Sequence, residues 1–264
     1  MNAAIRMAAV IPARMGSSRF PGKALLSVRG LPMIEHVRRR TVLSGVFSDV
    51  VVATCDQEIA QVVTRYGGRV LMTSPDHPGA LDRVAEAMRS LECTHVMNVQ
   101  GDEILVMPDD LRRMVDVVTR QPEILAWNAA STLEAAWELS DPSIVKLFIS
   151  KTGRVLFCAR RWPEETFAEP SRTAIVKSIG MMVFAPSFLN QFVGLPRTPL
   201  EQATGMDQLR ILEHDLVLHT VVFQHGYPTI NEPREVAMVE ACLSNDPRQQ
   251  AVLDDVLAGA GVGG

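Results

Sequence analysis

The sequence predicts an α/β protein built around a mostly parallel sheet. Three observations carry that prediction. Strand-length apolar runs alternate with helix-period segments about every 20 to 25 residues, the rhythm of right-handed βαβ crossovers. A basic, glycine-bearing loop follows the first apolar run, and an acidic turn follows a later one. In a parallel sheet both would sit at the carboxyl edge of the strands, where such folds bind ligands.

The elements follow in order. Met7 to Ile11 is a short apolar run suited to a buried strand, and Ser48 to Ala53 is a second, β-branched one. Ile59, Val62, Val63 and Tyr66 share a helical face that Gly67-Gly68 closes, and Arg69 to Met72 begins the next strand. Ala80 to Leu91 aligns Val84, Ala87, Met88 and Leu91 on one helical face, and His95 to Val99 is a strand. Pro108 opens a helix striped by Leu111, Met114, Val115 and Val118. Beyond about residue 125 the rhythm loosens. Ile124 to Ala130, Ile144 to Ile149 and Val155 to Ala159 read as strands, and Glu164 to Arg172 as a loop at a subdomain or subunit contact. Pro199 to Leu212 has helical spacing, Leu216 to Phe223 reads as a strand and Pro233 to Leu243 as a helix; the tail from Asp246 is expected to fray. Residues 1–245 are therefore expected to form one domain, with roughly 150–200 as an insertion and 246–264 as a tail.

Length and charge narrow the function. The 264 residues suffice for one large core, and 26 Lys and Arg against 30 Asp and Glu give a net charge of −4. That balance argues against a nucleic-acid or membrane-surface partner, whose field would be strongly basic. No apolar run reaches the length of a membrane span, and Met1 to Arg6 does not read as a secretion leader. Cys55, Cys93, Cys158 and Cys242 lack metal-ligand spacing and read as reduced core residues, which makes the cytoplasm the expected compartment.

Against this mildly acidic body the first loop is a local exception. Within Ala13-Arg14-Met15-Gly16-Ser17-Ser18-Arg19-Phe20-Pro21-Gly22-Lys23, three cations are spaced by small residues. Small residues let backbone N–H groups approach an anion, and the cations can fold around a polyphosphate. The second motif is Asn98-Val99-Gln100-Gly101-Asp102-Glu103, where a glycine before the acids permits a sharp turn. Alone, this is as well explained by an exposed acidic turn as by a ligand site. Beside a phosphate loop, Asp102 suits magnesium, which prefers one or two carboxylates plus phosphate oxygens and water. Asp76-His77 fits a cap or a ligand contact equally, and Lys146 and Lys177 are either solvated or touch an anion. His36, His95, His214, His219 and His225 share no spacing and read as surface or satisfied core residues.

Taken together, these motifs resemble the 3-deoxy-manno-octulosonate cytidylyltransferases, the enzymes that make CMP-activated Kdo. The resemblance runs to about residue 243 and also includes Gly30-Leu31-Pro32-Met33-Ile34, Asp82-Arg83-Val84-Ala85-Glu86, Asp141-Pro142, Val145-Lys146, Ile179-Gly180 and Gln208-Leu209-Arg210. It implies a Rossmann-like, glycosyltransferase-A-like nucleotidyltransferase with a smaller dimerisation and substrate subdomain, usually a homodimer. It implies a reaction in which CTP and a 2-keto-3-deoxy sugar acid give a CMP-sugar and pyrophosphate, with Mg2+ as cofactor.

By the same resemblance, Arg14, Arg19 and Lys23 hold the triphosphate and Asp102 and Asn231 stand at the metal. Ala13, Gly16, Ser17, Ser18, Asp76, His77, Gly79, Gln100, Arg160, Ser178 and Gln208 line the substrates. Several positions depart from the family pattern. Asn231 stands where the family has a second metal-binding aspartate, with Glu232 as a conceivable substitute if the turn rotates. Ser178 replaces a histidine, Gly79-Ala80-Leu81 replaces Ser-Gly-Thr, Thr204 replaces a glutamate, and Ile104 replaces a proline. These changes cluster on the sugar and base side. They leave open a different acid, a sugar phosphate, another base, or a non-catalytic nucleotide-binding homologue.

Overall fold

Met7 to Ala13 is buried along its whole length, as a strand covered on both faces requires, and it forms β1 (Met7–Ala13). The computed structural model describes residues 5–17, 19–168 and 173–259. The chain divides into two units, Met1–Asp116 with Tyr227–Gly264, and Val117–Gly226.

In the first unit β1 is followed by a single 3-10 turn at Lys23–Leu25 and a small hairpin, β2 (Ser27–Val28) and β3 (Leu31–Pro32). Arg29 and Gly30 adopt positive φ of 50° and 79° at the hairpin tip, the twist a two-residue connection demands. Then come α1 (Met33–Leu43), β4 (Asp49–Thr54), α2 (Gln57–Arg65), β5 (Arg69–Met72), α3 (Ala80–Met88), β6 (His95–Val99) and α4 (Pro108–Arg120). The strands run parallel in the order β6-β1-β4-β5, with Ala8 opposite both Val96 and Asp49. The segments after β1 and β6 therefore emerge side by side at one edge.

The second unit contains β7 (Ala126–Thr132), α5 (Trp137–Ser140), β8 (Lys146–Ile149), β9 (Val155–Ala159), β10 (Ile175–Phe184), α6 (Pro186–Gly194), α7 (Pro199–Thr204), α8 (Asp207–Glu213) and β11 (His219–Phe223). Here β11 runs parallel to β7, while β7–β10, β10–β8 and β8–β9 pair antiparallel. The register of β10 shifts between Ser178 and Met182. The insertion expected over 150–200 lies inside this wider unit. Glu164–Thr166, expected as loop, makes one 3-10 turn, and residues 169–172 lie outside the described residues.

The segment from Pro199 to Leu212 forms two helices and not one, because Gly205 takes φ 67° and ends α7. The strand expected from Leu216 begins only at His219.

The chain returns to the first unit through α9 (Glu235–Asn245) and α10 (Pro247–Leu257). Residues 247–257 of the tail expected to fray form a helix, while 260–264 lie outside the described residues. Asp246 accepts hydrogen bonds from the Arg248 N–H (2.8 Å) and the Gln249 N–H (3.4 Å), Pro247 opens the helix, and Gln249, Leu253 and Val256 are buried. An aspartate cap followed by proline is a helix start, and polar composition alone concealed it. Leu253 joins Val28, Met33, Ile104, Leu105, Ile230, Val239 and Leu243 in one apolar cluster, which also accounts for isoleucine at 104. All four cysteines are free thiols. Among the described residues no helix is long and apolar enough to cross a membrane.

Candidate active site

The loop after β1 folds back on one carbonyl. Met15 O accepts from the N–H groups of Ser17 and Gly22, each at 2.9 Å, and the Met15 N–H donates to Asp56 Oδ2 at 2.8 Å, tying the loop to the end of β4. Gly22 takes φ 75°, a conformation that side chains resist, and so turns the chain into the Lys23–Leu25 turn. Arg14 and Arg19 are exposed and Lys23 is half-buried.

The turn after β6 lies against the end of β1. A Cβ on Gly101 would stand 2.8 Å from Pro12 O, so a side chain there would separate the two segments. This close approach brings Asp102 to Lys23, whose Nζ donates to Asp102 Oδ2 (2.8 Å), the Ile230 carbonyl (2.9 Å) and Asn231 Oδ1 (3.3 Å). Arg19 Nη2 donates to the same Asn231 oxygen at 2.9 Å. Asn231 is fixed in turn. Its N–H donates to the Glu235 carboxylate and its Nδ2 to Thr229 Oγ1 at 2.8 Å. Glu232 pairs with exposed Arg234 at 3.0 Å and is not among the residues lining the cleft.

A cleft of about 250 Å³ results. Arg14, Ser17, Arg19 and Lys23 line it from the loop, Gln100, Gly101 and Asp102 from the β6 turn, and Asn231 from before α9. Ala13, His77, Gly79 and Ala80 also line it, while Leu81 is buried and outside the lining. His77 Nε2 hydrogen-bonds the Glu86 carboxylate, and this bond, with the Ser74 N–H at 2.9 Å, holds that carboxyl below its usual range. Arg83 also lines the cleft, donating to Thr73 Oγ1 and to Cys55 Sγ at 3.5 Å. Sequence reasoning did not assign it a role, although it lies one helical turn beyond Gly79, within the stretch that carries the resemblance. Gly16 and Asp76 are exposed and lie outside the lining, Asp76 turned toward Ser74, and Ser18 lies outside the described residues.

Four cations, Arg14, Arg19, Lys23 and Arg83, thus face one carboxylate, Asp102, among the described lining residues. Such a wall suits a polyanion. Among the described residues no three His, Cys, Asp or Glu side chains gather as a metal cluster. The chemistry of the donor set nevertheless fits magnesium. A carboxylate oxygen, an amide oxygen and a carbonyl oxygen already surround one cationic nitrogen, and magnesium needs few protein ligands when phosphate and water supply the rest.

A family model described as cytidylyltransferase matches residues 8–218. The 3-deoxy-manno-octulosonate cytidylyltransferase of Geobacter sulfurreducens is 35% identical over 246 residues, covering 89% of this chain and 98% of its own. That of Syntrophotalea carbinolica is 36% identical over 243 residues, covering 89% and 97%. The chain belongs to the 3-deoxy-manno-octulosonate cytidylyltransferase family. A solved CMP:2-keto-3-deoxy-manno-octonic acid synthetase complexed with CTP superposes with a TM-score of 0.83 at 30% identity, over 91% of this chain and 99% of that one.

The other expected site residues of this cytidylyltransferase belong to the second unit. Ser178 sits in an uncharged trio. Gln208 Nε2 donates to Asn128 Oδ1 (3.0 Å) and Ser178 Oγ (3.4 Å), and Asn128 Nδ2 donates to Ser178 Oγ (3.0 Å). Asn128 gave no signal in the sequence, being one polar residue inside an apolar strand. Arg160 donates to the Thr204 carbonyl (3.0 Å) and the Pro142 carbonyl (3.1 Å). The open question about two lysines also has its answer here. Lys146 is buried, with its Nζ on the carbonyls of Asp141, Ile144 and Arg160, and burial pulls its pKa down to about 8. Lys177 pairs with Glu138.

Proposed function

We propose that this chain joins CTP to a 2-keto-3-deoxy sugar acid, Kdo or a close relative, giving a CMP-sugar and pyrophosphate. The observation that carries this reading is the convergence of Arg14, Arg19, Lys23 and Asp102 on one cleft in a chain of this family. The acid's anomeric hydroxyl oxygen attacks the α-phosphorus in line with the bond to the bridging oxygen of the β-phosphate. A C–O–P bond forms, that P–O bond breaks with its electron pair leaving on pyrophosphate, and the hydroxyl proton passes to solvent.

The protein's part is positioning and charge compensation. Arg14, Arg19 and Lys23 bind the triphosphate and offset the charge that grows on the leaving group. Gln100 and the 79–80 segment orient the nucleotide, and Arg83 holds the wall behind it. Asp102, with Asn231, would hold Mg2+ together with phosphate oxygens, and the ion when bound supplies Lewis-acid polarisation of the phosphoryl group.

In the second unit the Ser178–Asn128–Gln208 trio presents neutral hydrogen-bonding groups where the resemblance led us to expect a histidine. Exposed Trp137, Leu156, Phe157 and Trp162 in the second unit support a homodimer, which sedimentation would test.

Pyrophosphate release from CTP, UTP, GTP and ATP, each with a panel of 2-keto-3-deoxy acids and sugar phosphates, tests the reading. Turnover with CTP and an acid, abolished by Asp102→Ala, is expected. CTP binding with no pyrophosphate from any acid would count against it. A non-catalytic nucleotide binder gains ground only if Asn231→Asp raises turnover greatly while CTP affinity barely changes.

A further inference from the structure

Lys23 is doubly placed. It belongs to the cationic loop that faces the phosphates, yet its ammonium is spent on Asp102 Oδ2, the Ile230 carbonyl and Asn231 Oδ1. Those three oxygens are the same donors that would receive a divalent cation. An ammonium and a divalent ion repel at such distances, so they cannot share this set.

We propose that Lys23 is an internal cation that closes the metal position until a triphosphate draws it away, so that nucleotide binds before metal; this rests on the function proposed above. The local charge count makes the order directional. Asp102 contributes one negative charge and Glu235, on the Asn231 N–H, a second; the Asn231 amide contributes none, Lys23 adds one positive charge and Arg19 brings another to the same amide oxygen at 2.9 Å. The oxygen set therefore carries no net negative charge to attract a metal while Lys23 stays. A triphosphate is drawn by Arg14, Arg19 and Lys23 together. Once Lys23 turns to a phosphate oxygen, Asp102 is released with its charge unpaired, beside an anion that brings further oxygen ligands.

A carboxylate at position 231 would remove this control, because two acids hold one lysine and still attract a divalent ion. The amide at 231 thus makes Lys23 decisive in this chain. Asn231 keeps its hold on the loop as a neutral acceptor without competing, as an anion would, with the incoming phosphates.

The test uses the whole chain and two probes, Mn2+ followed by electron paramagnetic resonance without nucleotide, and CTP followed by calorimetry in EDTA. Wild type is expected to bind CTP without metal and Mn2+ only weakly. Lys23→Met should tighten Mn2+ binding by about tenfold or more, and adding Asp102→Asn should remove the gain. Should Lys23→Met fold poorly by circular dichroism, Lys23→Gln takes its place. Mn2+ binding to free wild type as tight as to the lysine variant overturns the proposal, as does failure of CTP to bind in EDTA by an enzyme that turns over with metal. If the wild type neither binds CTP with metal present nor releases pyrophosphate, the functional reading itself fails; if it turns over and only the order is wrong, that reading stands.

Discussion

Gly101→Ala examines how the cleft is built. An ideal Cβ at this position lies 2.8 Å from Pro12 O, roughly 0.6 Å inside ordinary contact. Pro12 cannot retreat alone, because it stays in the parallel ladder opposite Ala53 of β4. The β6 turn must yield, and Asp102 moves with it. Overpacking of this kind costs about 1–3 kcal/mol. A displacement of several tenths of an ångström at Asp102 should lower turnover by about tenfold or more, since 1 Å can cost about 100-fold. Gly16→Ala is the control: nothing lies within 4 Å of a Cβ there, and stability should stay within about 0.5 kcal/mol. Urea unfolding and pyrophosphate release measure the two effects separately. A Gly101→Ala protein as stable and as active as wild type would refute the idea that this backbone contact places the carboxylate.

Two further outcomes concern buried ionisable groups. His36 donates Nε2–H to the Val28 carbonyl at 2.7 Å, and burial, reinforced by Arg40 and Arg39, pulls its pKa down to about 4. Between pH 6.5 and about 4 the unfolded chain therefore binds a proton that the folded chain refuses. His36 makes stability fall with falling pH across that window, by about 3 kcal/mol in full, and His36→Gln should flatten the slope seen in unfolding at pH 4.5 and 7. Glu201, bound by Arg210 (2.8 Å) and Arg197 (3.0 Å), would be raised by burial, but these partners outweigh that and hold it below its usual value. Its contribution is present above the ordinary carboxylate range and lost as pH falls through the lowered value. Glu201→Gln should cost about 3–5 kcal/mol by chemical unfolding, and a loss under 1 kcal/mol would contradict that.

Much of the fold was legible because apolar runs of strand length mark strands even where, as at Leu156 and Phe157, the side chains stay exposed. Arg69–Met72, His95–Val99 and Val155–Ala159 form strands over the same bounds that their apolar runs indicate. Helix α1 escaped notice because its buried side carries Glu35, His36, Arg38 and Arg40, polar side chains that erase the apolar stripe; Arg38 and Glu35 neutralise each other at 2.7 Å. In β10 the run is interrupted by Lys177, Ser178 and Gly180, so alternation fails although the backbone stays extended. The cleft was readable as two loops at one sheet edge. The contacts that organise it were not, since Lys23 meets Asn231 across 208 positions and no local pattern encodes such a meeting.

The first unit is discontinuous: residues after 226 complete what residues before 117 begin. Arg19 and Lys23 leave the ribosome more than two hundred codons ahead of the amide and carbonyl that receive them. A nascent chain thus carries a half-built nucleotide grip for more than two hundred codons, until the segment with Ile230 and Asn231 closes it.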